Sequence, residues 1–120
     1  MMKGFIKGFR FALQGIRWAW KGRNFRIQVA CGLLVLVLSY ALDITRSEWL
    51  VILVFTGLVP ALELMNSAIE ETINLLSPGF HPAAGKIKDL AAGSVLFLSI
   101  FALVTGVVIF LPYLIAIFYR

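Results

Sequence analysis

The chain reads as three long apolar stretches separated by two polar breaks and preceded by a segment that alternates basic and aromatic residues. The stretches run over Ile27–Leu42, Trp49–Ile73 and Leu90–Phe118. Each has the apolar density expected of a transmembrane helix. The first is short for a hydrocarbon layer of about 30 Å, which takes roughly 20 residues. Asn24, Phe25 and Arg26 are expected to extend it into the interface. Pro60 interrupts the second stretch, and Gly93, Gly106 and Pro112 lie in the third. Asp43–Glu48 reads as a tight polar turn. Asn74–Lys88 reads as a loop around Ser77-Pro78-Gly79, a strong turn signal.

The segment before the spans has its own period. Lys3, Lys7, Arg10, Gln14, Arg17 and Lys21 recur at steps of three and four, and Phe5, Phe9, Ala12, Ile16 and Ala19 do the same on another face. This predicts an amphipathic helix over residues 1–24 lying in the headgroup layer. Trp18 and Trp20 suit that interface. An ordinary amphipathic helix packed on protein has the same pattern, but the bilayer span that follows favours the membrane surface.

Composition sharpens this picture. The 120 residues are 61% hydrophobic and 14% charged, against about 25% charged in soluble domains. A chain this small cannot hide that much apolar surface within itself. Lipid accepts it, and helices satisfy their own backbone there. The expected fold is therefore all-α, a single membrane-embedded domain. The net charge of +5 is concentrated: Lys3, Lys7, Arg10, Arg17, Lys21, Arg23 and Arg26 precede the first span with no acid among them. Such a cluster also suits nucleic acid, but beside a membrane span its partner is anionic lipid. Lys86 and Lys88 precede the third span, whereas the opposite side has only Arg46 and Arg120. The positive-inside rule then places the N-terminus and the second loop in the cytoplasm and the C-terminus outside. The single cysteine, Cys31, sits in an apolar run and reads as a small packing or lipid-facing residue.

Chemistry concentrates in the second half of the middle span. At 100° per residue, Glu63, Asn66, Ser67, Glu70 and Asn74 share one helix face. An ionisable residue in a span costs about 2.5–3.5 kcal/mol on insertion scales, so two on one face point to a task. Their separation is roughly 10 Å along the axis. Such a pair can bind a divalent cation, accept a proton, or do both; a polar seam that only joins helices is the plainer alternative. Glu71 points off this face and reads as an interfacial charge. The adjoining Phe80-His81-Pro82-Ala83-Ala84-Gly85-Lys86-Ile87-Lys88-Asp89 offers what a phosphate needs. Gly85 allows close backbone approach, Lys86 and Lys88 bring positive charge, and the start of the third helix favours an anion. Asp89 is placed to cap that helix or hold a metal. Beside the intramembrane carboxylates, this suggests a nucleotide phosphate and magnesium. His81 alone reads as a packed or solvated loop residue.

Glu63-Leu64-Met65-Asn66-Ser67-Ala68-Ile69-Glu70, followed by Lys88-Asp89-Leu90-Ala91-Ala92-Gly93, resembles the signature of the small bacterial integral-membrane diacylglycerol kinases and undecaprenol kinases. The likeness extends to Gly15-Ile16 and Asn24-Phe25-Arg26-Ile27 and covers almost the whole chain. It implies a bacterial inner-membrane homotrimer with sites between subunits, Mg-ATP on the cytoplasmic side and a lipid hydroxyl entering from the bilayer. It implies Glu63 as general base, Glu70 as metal ligand, Lys88 and Asp89 as nucleotide-binding residues with Gly85 and Lys86 beside them, and Asn66 next to the base. Ser67 and Asn74 are the supporting polar residues of the same face. His81-Pro82 and Ala91-Ala92-Gly93 look more like the undecaprenol branch. Two positions depart from the pattern: Gly22 stands where the family usually carries a metal-ligating glutamate, and Asn74 where it usually has an aspartate. The first departure keeps open a catalytically weak relative acting as an assembly subunit. A reading from another class is a small proton-coupled transporter with Glu63 as its carrier carboxylate. That reading leaves the Gly85–Asp89 segment without a task.

Overall fold

The computed structural model describes residues 1–120 and contains four helices: α1 (Met2–Ala19), α2 (Arg23–Ala41), α3 (Arg46–Leu76) and α4 (Pro82–Phe118). The last three are long and apolar enough to cross a membrane. Helix α3 is central. It packs most extensively against α4, next against α2, and touches α1. Only 12 of the 120 residues are buried, so the protein cannot be held together as a soluble globule is. Leu33, Leu34, Phe97, Phe101 and Val108 all face outward, where lipid is their solvent.

Each boundary has a local cause. A capping box starts α3: Thr45 Oγ1 accepts from the Glu48 N–H, and the Glu48 carboxylate accepts from the Thr45 N–H. Asp43, at φ 50°, turns the chain just before it. The residues Asp43–Glu48 are thus a turn followed by the first helical turn. At the α1–α2 corner, Gly22 is the N-cap residue of α2, and Phe25 is buried with its ring edge-on to Trp20 at 6.1 Å. Lys21 lies over the Trp18 ring at 4.1 Å. Helix α1 ends at Ala19, before the expected limit at residue 24, because the chain turns through Trp20–Gly22 to begin α2. Apart from Ala19, every residue of α1 is exposed.

The third apolar stretch is the later part of a longer helix. Its helix begins at Pro82, well before Leu90. Proline at the first helical position is pre-set for the helix and loses no hydrogen bond there. The His81 ring Nδ1 accepts from the Ala83 N–H at 3.1 Å and serves as the cap. The polar loop therefore shrinks to Ser77–His81. Gly85, Lys86, Lys88 and Asp89 stand on the first two turns of α4 rather than on a loop, and Asp89 caps nothing.

Candidate functional site

The polar face of α3 changes character along its length. Glu63 and Asn66 are buried, Ser67 is half-buried, and Glu70, Glu71 and Asn74 are exposed. Helix α2 explains the buried end. Gln28 Nε2 donates to Glu63 Oε2 at 3.3 Å, joining α2 to α3 across 35 positions of sequence. Two oxygens nearby are buried without a partner, Gln28 Oε1 and Asn66 Oδ1. Buried polar atoms are almost always hydrogen-bonded, so an orphaned pair beside a buried carboxylate marks a place that can receive a donor. Gln28 was not among the residues singled out from the sequence. Its one visible signal was an amide inside an apolar run.

Gln28 also stands at one end of a groove of about 540 Å³ between α2, α3 and α4. The groove runs past Cys31, Gly32, Thr56, Pro60 and Gly106 to Phe110, and its walls are almost entirely apolar. From Gln28 to Leu38 the α2 wall measures about 15 Å at 1.5 Å per residue. A hydrocarbon chain fits such a surface, and Gln28 is the polar side chain at its end nearest Glu63.

At the C-terminal end of α3 the chain returns into α4. A second cleft, of about 730 Å³, lies there and is lined by Phe80, His81, Gly85, Lys86 and Asp89. Lys88 does not line it. Lys86 and Lys88 are about 200° apart around a helix, and the Lys88 ammonium donates to Asn74 Oδ1 on α3. So the structure gathers Gly85, Lys86 and Asp89 in one cleft, ties Lys88 to Asn74, and holds Glu63 and Asn66 deeper. No side-chain hydrogen bond joins Glu70 to any of them. Gly85 has open space where a Cβ would stand, so no close backbone approach requires a glycine there within one chain.

Nowhere do three histidine, cysteine or acidic side chains converge on a metal-sized space. That still fits magnesium, which commonly takes one or two carboxylates and completes its shell with substrate phosphates and water. Glu70 is exposed and accepts no hydrogen bond from the chain, so its carboxylate is free for that use.

The profile of the family described as prokaryotic diacylglycerol kinase matches residues 10–110. The chain is 38% identical over 110 residues to the undecaprenol kinase of Bacillus subtilis (strain 168), covering 90% of this chain and 89% of that one. It is 34% identical over 109 residues to a diacylglycerol kinase of Synechocystis sp., covering 89% and 62%. It is 30% identical over 101 residues to the diacylglycerol kinase of Escherichia coli (strain K12), with 83% of each covered. With three apolar spanning helices, a buried intramembrane carboxylate and this breadth of similarity, the chain belongs to the prokaryotic diacylglycerol kinase family and is a membrane-embedded lipid kinase.

Proposed function

We propose that the protein transfers the γ-phosphoryl group of ATP to the hydroxyl of a membrane lipid, with undecaprenol preferred over diacylglycerol. The observation that carries this reading is the position of Glu63. It is buried and hydrogen-bonded to Gln28, and Gln28 lines one end of an apolar groove. A lipid whose chain lies in the groove brings its hydroxyl to this carboxylate. Glu63 accepts the hydroxyl proton. The lipid oxygen forms a bond to the γ-phosphorus, and the bond to the bridging oxygen breaks, leaving its electron pair on ADP. Phosphoryl transfer of this kind depends mostly on positioning and charge neutralisation. Lys86 and Lys88 supply positive charge, and Gly85 and Asp89 shape the nucleotide cleft. Glu70 would hold magnesium, which would neutralise phosphate charge; Gly22 has no carboxylate to add, so solvent would complete the shell. Asn66, Ser67 and Asn74 orient these groups.

One chain leaves Glu70 and the cleft at the start of α4 open on one side, which supports a homotrimer whose sites are completed by a neighbouring subunit. Helix α1, basic on one face and aromatic on the other, lies on the cytoplasmic surface of the bacterial inner membrane in this reading. The N-terminus is cytoplasmic and the C-terminus outside. Undecaprenol is preferred because one groove suits one chain, and because the Bacillus subtilis relative covers most of this sequence at 38% identity.

The test is radiolabelled ATP with the full-length protein in detergent micelles, offering undecaprenol and diacylglycerol separately. The expected result is magnesium-dependent labelling of both, faster with undecaprenol. Labelling of neither lipid would leave the transporter or an inactive assembly subunit as the better account.

A further inference from the structure

The site contains one interaction that the reaction scheme above does not use. Gln28 is the only side chain that hydrogen-bonds Glu63. It comes from a different helix, and it donates through Nε2 at 3.3 Å. A glutamate side chain has three rotatable bonds, and an unpartnered carboxylate on α3 would sample several of their combinations. A base must instead stand within hydrogen-bond reach of the proton that it takes. Held by one amide donor, the carboxylate keeps one oxygen on Gln28 and presents its remaining acceptor capacity elsewhere. The amide is neutral, so it orients the carboxylate without the strong charge pairing that lysine or arginine would impose. With Nε2 committed, Gln28 Oε1 faces its surroundings as a bare acceptor, as does Asn66 Oδ1 three residues along α3 from Glu63. Both oxygens are buried with no donor of the protein to satisfy them, on the two residues nearest Glu63 in this polar cluster.

We propose that Gln28 is a positioning residue for Glu63: its amide fixes the orientation of the carboxylate, and its free oxygen, with that of Asn66, takes a hydrogen bond from a water or hydroxyl that accompanies the lipid headgroup. This rests on Glu63 acting as the base. It places a residue of α2 in the proton-transfer machinery and makes the α2–α3 contact part of the active geometry. Gln28 does not line the cleft at the start of α4, so its effect passes through turnover and not through nucleotide binding.

The test compares the full-length protein with Gln28→Leu, Gln28→His, Glu63→Gln and the double variant Gln28→Leu/Glu63→Gln. All are assayed in micelles with undecaprenol and Mg-ATP, with size-exclusion and melting curves to establish folding. Gln28→Leu keeps the volume and removes the donor. It is expected to lower kcat about 10- to 100-fold, the scale of a misplaced catalytic group, with the KM for Mg-ATP unchanged. Gln28→His restores an N–H of similar reach and should recover much of the loss. In the Glu63→Gln background, Gln28→Leu should have almost no further effect, because there is no base left to orient. A structural role would instead give additive losses and no rescue by histidine. If wild type is active and Glu63→Gln is impaired, but Gln28→Leu retains full kcat, the positioning role is overturned and the kinase reading stands. If Gln28→Leu does not fold, the histidine variant decides: kcat below one-tenth of wild type in a folded protein counts against the proposal. If wild type phosphorylates neither lipid, both the inference and the function fall.

Discussion

The two halves of helix α3 each hold a glutamate hydrogen-bonded to another helix, and they treat it differently. Near the N-terminal end, Glu48 Oε2 accepts from the Tyr113 hydroxyl of α4 at 2.6 Å and from the Thr45 N–H at 2.9 Å. This clasp sits beside a buried apolar cluster, where Ile44, Ile52, Ile109 and Phe110 meet with Trp49 and Tyr113 against them. No side-chain oxygen or nitrogen there is left buried without a partner. In the C-terminal half, Glu63 has one neutral donor, and both orphaned oxygens of the protein lie on its neighbours. A polar contact whose members are satisfied holds helices together. A half-satisfied one costs stability and persists where something else completes it. On this argument the proposed function assigns Glu48 to structure and Glu63 to chemistry, although both are glutamates on one helix.

The sharpest way to break that distinction is to neutralise the buried glutamate. Glu63→Gln keeps size and hydrogen-bonding capacity and cannot accept a proton. Turnover should fall on the order of 10²–10⁴-fold, with the KM for Mg-ATP little changed and the oligomer intact on size exclusion. A folded, fully active Glu63→Gln protein would reduce Glu63 to a seam residue. Glu70→Gln should behave otherwise. It should raise the magnesium concentration for half-maximal activity and the KM for Mg-ATP by about 10- to 100-fold, the scale on which even outer partners of a metal act. Equal magnesium requirements in the two variants would remove the division of labour between the carboxylates.

How far the sequence foretells this arrangement differs between the two ends. The three spans are legible because lipid-facing surface is a matter of composition, and Leu33, Phe97 and Val108 announce it wherever they stand. The shared face of Glu63 and Asn66 is legible because helical period is local. The start of α4 is not. Residues 82–89 mix alanine, glycine and charge with no apolar period, and a histidine cap lies outside the usual Ser, Thr, Asp and Asn set. The parting of Lys86 from Lys88 follows from that missed start. Gln28 is invisible for another reason: its meaning depends on a contact 35 residues away, which no period encodes. The Tyr113–Glu48 clasp spans 65 residues and is hidden in the same way.

Asn74 gives a smaller test of the site end. Its amide oxygen receives Lys88 without cancelling the lysine charge, which leaves that charge for a phosphate. Asn74→Asp would convert the contact into an exposed ion pair, worth about 0–1 kcal/mol. The expected result is a roughly two- to fivefold rise in the KM for Mg-ATP, larger at low salt because such pairs are screened. A fall in KM would mean that the new carboxylate serves the metal, and that Lys88 is not the phosphate contact.

The smallest effect on turnover is expected at the opposite end, where Tyr113→Phe removes the hydroxyl from Glu48. The ring remains against the Ile44, Ile52, Ile109 and Phe110 cluster, so packing is kept. Glu48 still accepts from the Thr45 N–H, so the start of α3 keeps its capping box. What is lost is one charge-assisted hydrogen bond between α3 and α4. Its removal should lower the melting temperature by about a few degrees, because one such bond is a modest part of total stability. Lipid phosphorylation at temperatures well below melting should be unchanged within a factor of about two, since the clasp and Glu63 lie at least about 20 Å apart along α3 by helical rise. The measurement pairs a melting curve with kcat for the same preparation. A large loss of kcat at unchanged melting temperature would show that the two ends of α3 are coupled, and the division between a structural and a functional glutamate would have to be abandoned.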